Sequence, residues 1–258
     1  MGVKQLFDLA GRTAVVTGGS RGLGLQMAEA LGEMGAKIAI TARKKDELEE
    51  AVAHLKTLGI AATAYPCDLG KREQVEPLAT AILAKSGKVD ILVNNAGAVW
   101  GAPAEDHPID AWDKLLSLNL TGNFVLSQLI AKQSMIPRKW GRIVNLASVS
   151  GLQATDTRLL NNVSYVATKH GVIGLTRQFA AEWGRYGITV NAICPGFFPS
   201  KMTRATLDAS GEFLRAATPT GRLGGEEDLK GLVVLLASDA SRHITGQAIA
   251  VDGGACVI

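Results

Sequence analysis

Short runs of apolar and β-branched residues recur along the chain and alternate with stretches in which apolar residues fall at helical spacing. The first pattern predicts buried strands and the second predicts amphipathic helices. We predict seven strands, at Thr13–Thr17, Lys37–Thr41, Ala61–Tyr65, Ile91–Asn94, Arg142–Leu146, Ile188–Ile193 and Ala248–Val251. We predict helices at about Arg21–Met34, Lys45–Leu58, Arg72–Lys85, Ile109–Gln133, Ser164–Tyr186 and Glu226–Ala237.

Several of these strands, such as IAIT, ILVN and RIVNL, are almost continuously apolar. Such runs are expected where both faces of a parallel sheet are buried, so we predict an α/β fold with a doubly wound parallel sheet. No linker interrupts the series, and residues 1–258 are expected to form a single domain. Two stretches, Val149–Val163 and Pro195–Gly225, do not follow the pattern. Both come after a strand, at the carboxyl edge of the sheet, where open α/β folds bind ligands.

Composition and charge exclude several classes of function. Hydrophobic residues make up 47% and charged residues 20% of the chain. The net charge is +3, and the basic residues are spread along the chain, so its composition does not support nucleic-acid binding. The three cysteines and four histidines lack ligand spacing, so we assign no disulfide framework and no metal. Neither a signal-peptide pattern nor a run of 18 apolar residues is present, and a soluble, cytoplasmic protein is expected.

A glycine-rich turn, TGGSRGLG, stands between the first predicted strand and the first predicted helix. Gly18, Gly22 and Gly24 lie where missing side chains let the backbone approach a pyrophosphate. The helix that follows offers N–H groups and the positive end of its dipole to the same group. A glycine cluster can be a mere tight turn, but its position after a strand favours a dinucleotide site.

The residues after the second strand bear on which dinucleotide binds. NAD sites commonly carry an Asp or Glu there, which accepts from the ribose 2′-hydroxyl. This chain has Arg43 at that point, and Arg21 lies inside the glycine turn. Two guanidinium groups favour a 2′-phosphate, so NADP(H) is predicted over NAD(H). The alternatives are that Arg43 and Lys44 are merely solvated, or that Asp46 is the acid if the strand ends later.

Polar residues follow the next strands as well. Asp68, after the third strand, can accept from an adenine amino group or can cap the following helix. The sequence NNAG after the fourth strand combines small residues with Asn95, which can satisfy strand-end backbone groups. Asn119 falls inside a predicted helix, where asparagine is unfavourable, so its position needs a reason.

Tyr165 and Lys169 are spaced i to i+4 on a predicted helix, which places both side chains on one face. A nearby cation stabilises a phenolate, so Lys169 is expected to lower the pKa of Tyr165. Together they would form a proton donor, although such a pair alone is usually a surface tyrosine and a solvated lysine.

These motifs occur together in a known order. The chain resembles the short-chain dehydrogenases/reductases in TGGSRGLG, NNAG, the N-L-T-G of Asn119–Gly122, a serine after the fifth strand, Y-V-A-T-K and the Pro195–Gly196 pair. The resemblance runs from about Leu9 to Gly254 and is greatest to the short single-domain type, with a Rossmann-type fold. Within the family the chain is similar to the 3-oxoacyl reductase and gluconate 5-dehydrogenase-like branch.

The resemblance implies roles for individual residues. Tyr165 is implied as general acid/base and Lys169 as the residue that lowers its pKa and binds the nicotinamide ribose. Ser148 would hold the substrate carbonyl oxygen, and Asn119 would hold a water that links Lys169 to solvent. The implied cofactor-binding residues are Gly18, Ser20, Arg21, Gly22, Leu23, Gly24, Arg43, Asp68, Leu69, Asn95, Ala96, Gly97, Tyr165, Lys169, Pro195, Gly196, Phe198 and Ser200.

Two features depart from the family pattern. Tyr165 stands 17 positions after Ser148, more than the family commonly shows, with the extra length within Thr155–Asn162. Ser150 is therefore a competing candidate for the serine, although Ser148 follows the strand more closely. After Pro195 and Gly196, the family often has a threonine that meets cofactor phosphate, and here Ser200 keeps the hydroxyl.

The substrate is predicted only by class. Apolar residues in Phe197–Leu223, together with Trp100, suit an apolar or acyl substrate. Arg158, Lys201 and Arg204 can meet a carboxylate, coenzyme A phosphates or an acidic acyl carrier protein, or can simply be solvated. The first hypothesis is NADPH-dependent reduction of a 3-oxoacyl thioester or similar ketone. Oxidoreduction of a sugar acid is the second, and a catalytically silent nucleotide-binding scaffold is the third. The resemblance also implies a homotetramer or homodimer.

Overall fold

Seven parallel strands form one sheet in the computed structural model, which describes residues 1–257. The strands are β1 (Thr13–Thr17), β2 (Lys37–Ala42), β3 (Ala62–Pro66), β4 (Ile91–Asn94), β5 (Gly141–Leu146), β6 (Ile188–Pro195) and β7 (Ala248–Val251). Their order is β3-β2-β1-β4-β5-β6-β7, and each neighbouring pair is parallel. The predicted doubly wound sheet is confirmed, and the strand order reverses between β1 and β4, where such folds open a ligand crevice.

Ten α-helical segments are present in the described residues. They are α1 (Val3–Leu6), α2 (Gly22–Glu33), α3 (Lys45–Thr57), α4 (Arg72–Ser86), α5 (Ile109–Leu115), α6 (Gly122–Ile130), α7 (Ile136–Arg138), α8 (Val163–Trp183), α9 (Arg204–Ala216) and α10 (Lys230–Ala237). Among these helices, none combines the length and the apolarity needed to cross a membrane.

The sheet is covered on both faces because successive strand residues point to opposite sides. In β1, Ala14 and Val16 pack into the cluster that includes α2, α3 and α10. Val15 between them packs into the second cluster, with residues of α4, α6 and α8. Both faces are therefore buried, which explains why the strand sequences are almost wholly apolar.

The helix predicted at Ile109–Gln133 differs from the expectation. Helical structure continues to Arg138, but it is interrupted by π-helical turns at Leu116–Thr121 and Ala131–Met135. A π-turn inserts one extra residue into the α-helical register and occurs often at functional sites. Asn119 lies in the first of these turns.

The second stretch that broke the pattern, Pro195–Gly225, contains a helix that the sequence pattern did not reveal. This helix, α9, has non-helical φ and ψ angles at Ser210, so it is kinked there. The last predicted helix begins at Lys230 rather than Glu226, because turns occupy the residues before it.

A charge cluster closes the amino edge of the sheet, opposite the ligand crevice. The fully buried carboxylate of Asp90 accepts from Arg138 Nη1 at 2.6 Å and from the Thr13 backbone N–H at 2.9 Å. Arg12 and Lys88 lie 3.6 and 3.4 Å from the same carboxylate. Burial by itself would raise the pKa of Asp90, but the bonds from Arg138 and Thr13 and the nearby cations hold it below its usual value.

Replacing Asp90 by Asn should destabilise the protein by about 3 kcal/mol at neutral pH. The Arg138 and Thr13 donors then face a neutral amide instead of a buried carboxylate. The depressed pKa adds stability above about pH 4, and this contribution is lost as the pH falls through the folded-state value. Urea unfolding at pH 7 and pH 3 should therefore show that the free energies of unfolding of the parent protein and Asp90→Asn differ more at pH 7. Glu49→Gln, which removes an exposed carboxylate paired with Lys45 at 3.5 Å, is the control. Equal stability of Asp90→Asn and Glu49→Gln would contradict this account.

Candidate active site

A cavity of about 620 Å³ opens at the carboxyl edge of the sheet. Its wall is made of residues that follow β1, β2, β3, β4, β5 and β6, together with two residues of α8. Every residue that the family resemblance implied for cofactor binding lies in this wall. The sheet topology thus brings together residues that are distant in sequence.

The glycine turn forms a cradle that side chains would fill. Gly18 has a φ of +64°, and a Cβ there would stand 2.8 Å from the Asn95 side chain. Gly22, the first residue of α2, has a φ of +53° and open space where its Cβ would be. Bare backbone at the start of a 12-residue helix suits an anion such as a pyrophosphate. The cavity therefore fits a dinucleotide.

Asn95 holds the glycine turn in place. Its side-chain amide donates to the backbone carbonyls of Thr17 at 2.8 Å and Gly18 at 3.1 Å. In return, Thr17 Oγ1 accepts from the backbone N–H groups of Asn95 and Ala96, both at 2.9 Å. These bonds join the ends of β1 and β4 across the point where the strand order reverses, which keeps the cradle rigid.

The end of β2 is more complex than the sequence predicted. Arg43, Lys44 and Arg21 all line the cavity, whereas the alternative acid, Asp46, does not. Near the end of β2, the carboxylate that does line the cavity is that of Glu47, which no sequence pattern indicated. Glu47 Oε1 lies 2.7 Å from Arg21 Nη1 and 3.0 Å from Lys44 Nζ.

Asp68 lies in the cavity wall, as expected, but it does not cap the next helix. Its Oδ1 accepts from the backbone N–H of Gly70 at 3.1 Å, which closes a local turn, and α4 begins only at Arg72. The adenine-contact alternative for Asp68 stays a prediction.

Phe198 and Ser200 lie in the wall after β6. The Ser200 hydroxyl lies 3.0 Å from Thr203 Oγ1, which also donates to the Phe198 carbonyl at 2.5 Å. Thr203 lines the cavity too and was missed in the sequence. Its hydroxyl fixes the loop that carries the two predicted residues.

Tyr165 and Lys169 lie side by side in α8, as their spacing predicts. The ammonium of Lys169 donates to the Leu146 carbonyl at 2.7 Å and stands 5.5 Å from the centre of the Tyr165 ring. Burial lowers the pKa of Lys169 to about 8. Its charge is therefore lost only a little above neutral pH.

The pKa of Tyr165 shifts in the opposite direction to the sequence-based expectation. Burial raises it, and the hydrogen bond from Ser148 offsets only part of that rise. In the free protein, the loss of solvation thus outweighs any effect of Lys169. A raised pKa keeps the phenol protonated at neutral pH, which suits a proton donor.

Ser148, rather than Ser150, is placed beside the phenol. Ser148 lies beside Tyr165, where its hydroxyl lowers the pKa of the phenol, and its Oγ accepts from the Ser150 backbone N–H at 3.1 Å. The Ser150 hydroxyl accepts from Thr155 Oγ1 at 3.1 Å. Thus Ser150 holds the loop that follows, and Ser148 faces the reacting position.

Replacing Ser148 by Ala should lower kcat/KM about 100- to 1000-fold, the usual loss when one donor to a developing oxyanion is removed. Ser150→Ala, the matched control, should lower it less than about tenfold because its hydroxyl bonds to Thr155. Steady-state kinetics of both variants on the same ketone measures the difference. A larger loss in Ser150→Ala would show that the wrong serine has been assigned.

Asn119 is fully buried and has a structural reason for its position. Its side-chain amide donates to the Ala98 carbonyl at 2.9 Å and to Thr168 Oγ1 at 3.1 Å, while its oxygen accepts from the Ala98 N–H at 2.9 Å. Thr168 in turn donates to the Tyr165 carbonyl at 2.8 Å. The side chain therefore ties the loop after β4 to α8. The water-holding role implied by the resemblance stays a prediction.

A second cavity, of about 410 Å³, adjoins the first. The two share Val99, Ser148, Tyr165, Gly196, Met202 and Thr203 in their walls. The rest of the second wall comes from the long segment between Ser148 and Tyr165, from Phe197, from α9 and the residues that follow it, and from the residues after β7. The phenol and the serine hydroxyl therefore lie where a dinucleotide site meets a separate chamber.

Comparison with known proteins agrees with this architecture. A sequence model described as short chain dehydrogenase matches residues 12–210. The chain belongs to this family. As a short-chain dehydrogenase it is an oxidoreductase that acts on CH–OH groups, using a nicotinamide nucleotide.

Relatives of this short-chain dehydrogenase differ in their substrates. It is 39% identical over 256 residues to gluconate 5-dehydrogenase of Gluconobacter oxydans, which covers 98% of both chains. It is 38% identical over 253 residues to the rhamnolipids biosynthesis 3-oxoacyl-[acyl-carrier-protein] reductase of Pseudomonas aeruginosa, covering 96% of this chain and 97% of the other. A solved gluconate 5-dehydrogenase of Burkholderia cenocepacia, in complex with NADP and tartrate, is 37% identical, covers all of both chains and superposes with a TM-score of 0.94.

The arrangement can polarise and protonate a carbonyl group. A bound nicotinamide nucleotide supplies or accepts the hydride. A carbonyl oxygen at the junction of the two cavities can accept from both Tyr165 and Ser148, which face it from α8 and from the end of β5. These preoriented hydroxyl groups can stabilise negative charge that develops on the oxygen, and the buried Lys169 can add a positive charge beside them. The phenol proton can then neutralise the alkoxide.

Proposed function

We propose that this protein reduces a ketone with an apolar substituent, a 3-oxoacyl thioester being the best match, and takes hydride from NADPH. The observation that carries the proposal is the second cavity, which meets the catalytic hydroxyl groups and has a largely apolar wall. Such a chamber with a few convergent polar groups is typical of a site for an apolar small molecule.

The apolar wall is built from three separate segments. It includes Val99, Leu159, Leu160, Phe197, Met202, Phe213, Leu214 and Leu223. Trp100 and Leu207, expected from the sequence to contribute, do not line the cavity. An alkyl or acyl chain would bury apolar area against these side chains, at roughly 25 cal/mol per Å².

The charged groups of this wall also favour a substrate that is uncharged near its carbonyl group. Arg158 is engaged by Asp156, with Nη2 to Oδ2 at 2.6 Å, and Arg222 is engaged by Asp228, with Nη2 to Oδ1 at 2.8 Å. A substrate carboxylate would have to compete with these carboxylates. Lys201 and Arg204 are exposed outside this chamber, where they can meet phosphates of coenzyme A or an acidic carrier protein.

The preference for NADP(H) is proposed from Arg21 and Arg43 in the wall of the first cavity. NADPH should bind more tightly than NADH, and Arg43→Asp should weaken NADPH binding about 10- to 100-fold, the range for losing a charge-assisted bond to phosphate. Lys45→Asp is the control. It makes the same change of charge two residues away, at a side chain that does not line the cavity. Fluorescence titration with both cofactors gives the affinities. Equal affinity of the parent protein for NADPH and NADH would contradict the assignment.

A sugar acid is the second candidate substrate. The relatives named gluconate 5-dehydrogenase favour it, and the chamber also presents polar side chains at Ser150, Gln153, Thr155, Asn162 and Thr206. These groups can bond to hydroxyl groups of a sugar chain, so the two candidates differ in which part of the wall the substrate contacts.

A turnover screen separates the candidates. Acetoacetyl-coenzyme A, 5-ketogluconate and simple ketones are each supplied with NADPH and with NADH, and cofactor oxidation is followed. We expect the highest kcat/KM for acetoacetyl-coenzyme A with NADPH. A higher value for 5-ketogluconate would replace the first proposal with the second.

Further properties stay predictions of the sequence. Residues 1–258 are proposed to form one nucleotide-binding and catalytic domain, located in the cytoplasm. A homotetramer or homodimer and a transient acyl carrier protein partner are proposed on the family resemblance. Light scattering of the purified protein measures the assembly state.

A further inference from the structure

An acidic side chain lies at the end of the cofactor cavity where two cations are expected to meet a 2′-phosphate. Glu47 Oε1 is 2.7 Å from Arg21 Nη1 and 3.0 Å from Lys44 Nζ. All three side chains line the cavity together with Arg43. In this structure, the Glu47 carboxylate therefore engages Arg21, one of the two cations expected to meet the phosphate, together with the neighbouring Lys44.

The Glu47 side chain is ionised and is held in place by Arg21 and Lys44. The hydrogen bond from Lys44 lowers its pKa, and the charges of Arg21 and Lys44 add to that effect against a smaller cost of burial. Its side chain is 22% exposed, whereas those of Arg21 and Lys44 are 50% and 58% exposed. Glu47 also lies in the first turn of α3, where the helix dipole favours a negative charge. The carboxylate is thus the more buried member of the cluster, and the two cations are the more exposed ones.

We infer that Glu47 is a specificity-determining residue that sets the ratio of NADP to NAD affinity by competing with the ribose 2′-phosphate for Arg21 and Lys44. A 2′-phosphate must draw the two cations away from Glu47 and is repelled by its charge. A 2′-hydroxyl instead brings a donor, which a carboxylate can accept. Glu47 thus weakens NADP binding and moderates a preference that Arg21 and Arg43 create. This inference rests on the proposed role of those arginines at the 2′-position.

The test uses two nucleotides without a nicotinamide ring, so it needs neither substrate nor turnover. Adenosine 2′,5′-bisphosphate and adenosine 5′-monophosphate differ only by the 2′-phosphate, and their affinities are measured by isothermal titration calorimetry on the full chain. In Glu47→Gln, we expect the preference for the bisphosphate to rise about tenfold over the parent protein at low ionic strength, and the gain to shrink as salt is added.

Glu49→Gln is a matched control. It removes the same charge from the same helix, but Glu49 is 64% exposed, pairs with Lys45 at 3.5 Å and does not line the cavity. It should leave the preference within about twofold of the parent value, because an exposed charge is largely screened. Glu47→Asp, which keeps the carboxylate, should stay closer to the parent protein than Glu47→Gln does. Thermal melts establish that each variant is folded.

The outcomes separate this inference from the proposed cofactor preference. An unchanged or reduced preference in folded Glu47→Gln, or an equal gain in Glu49→Gln, overturns the role of Glu47 whatever the parent protein prefers. A parent protein that does not discriminate between the nucleotides contradicts the NADP assignment. If Glu47→Gln nevertheless binds the bisphosphate more tightly than the monophosphate, competition by Glu47 is supported even though the NADP assignment is not.

Discussion

Tyr165→Phe should lower kcat for ketone reduction by about 100- to 10,000-fold, the range that a positioned general acid supplies. Phenylalanine keeps the ring that packs in α8 but has no proton to deliver to the alkoxide. Ser148 and Lys169 keep their places and still stabilise charge, which is why a residual rate is expected. Cofactor affinity should change less than about threefold, since the phenol is only one of many groups that line the cavity.

Steady-state kinetics and cofactor titration on the same preparation provide the measurement. Tyr186→Phe is the control, because it removes a phenol in the 3₁₀ turn Gly184–Tyr186, outside both cavities. Loss of cofactor binding together with turnover in Tyr165→Phe would indicate a structural role for Tyr165. Full activity of that variant would exclude it as the proton donor and would reopen the scaffold hypothesis.

Lys169→Met should lower kcat/KM by at least about 100-fold, because it removes the buried positive charge beside the phenol. The Lys169 ammonium also donates to the Leu146 carbonyl, so the variant leaves that acceptor without this bond. Lys230→Met is the control, since Lys230 is 19% exposed and pairs with Glu29 and Glu227 away from the cavities. Similar losses of activity in the two variants would contradict a specific role for Lys169.

The same lysine predicts a pH dependence in the parent protein. Because burial lowers the pKa of Lys169 to about 8, its charge is lost as the pH rises through that value. The kcat/KM for reduction should therefore fall above about pH 8, and the free-enzyme pKa is the one that this ratio reports. In Lys169→Arg the charge persists to a much higher pH, so the alkaline fall near pH 8 should vanish. An unchanged profile in that variant would assign the titration to another group.

The strands and most helices followed from hydrophobic periodicity, because a sheet buried on both faces imposes nearly continuous apolar runs. Hydrophobic periodicity does not reveal the segments in which helical geometry departs from a regular period. The π-turn around Asn119 adds a residue to the helical register, which no count of i and i+4 positions reveals. In the same way, α9 carries a kink at Ser210 within a glycine- and polar-rich stretch, so its pattern resembles a loop.

At the site, residue types were easier to predict than their electrostatics. The glycine turn lies in the wall of the first cavity, and Tyr165 and Ser148 lie at the junction of the two cavities, as residues of these types in their motifs predict. The raised pKa of Tyr165 depends on burial, which the sequence does not display. Glu47 was missed because its partner Arg21 lies 26 positions away and meets it only after β1 and β2 pair.

Transfer of a deuteride to a carbonyl carbon tests the central claim most directly. The protein is incubated with acetoacetyl-coenzyme A, 5-ketogluconate or a simple ketone and with NADPH deuterated at the transferable C4 position, and the products are examined by mass spectrometry. The account predicts a secondary alcohol that is heavier by one deuterium at the former carbonyl carbon, formed by the parent protein and nearly absent with Tyr165→Phe. Oxidation of the cofactor without deuterium at that carbon, or no alcohol from any ketone in the panel, would contradict it.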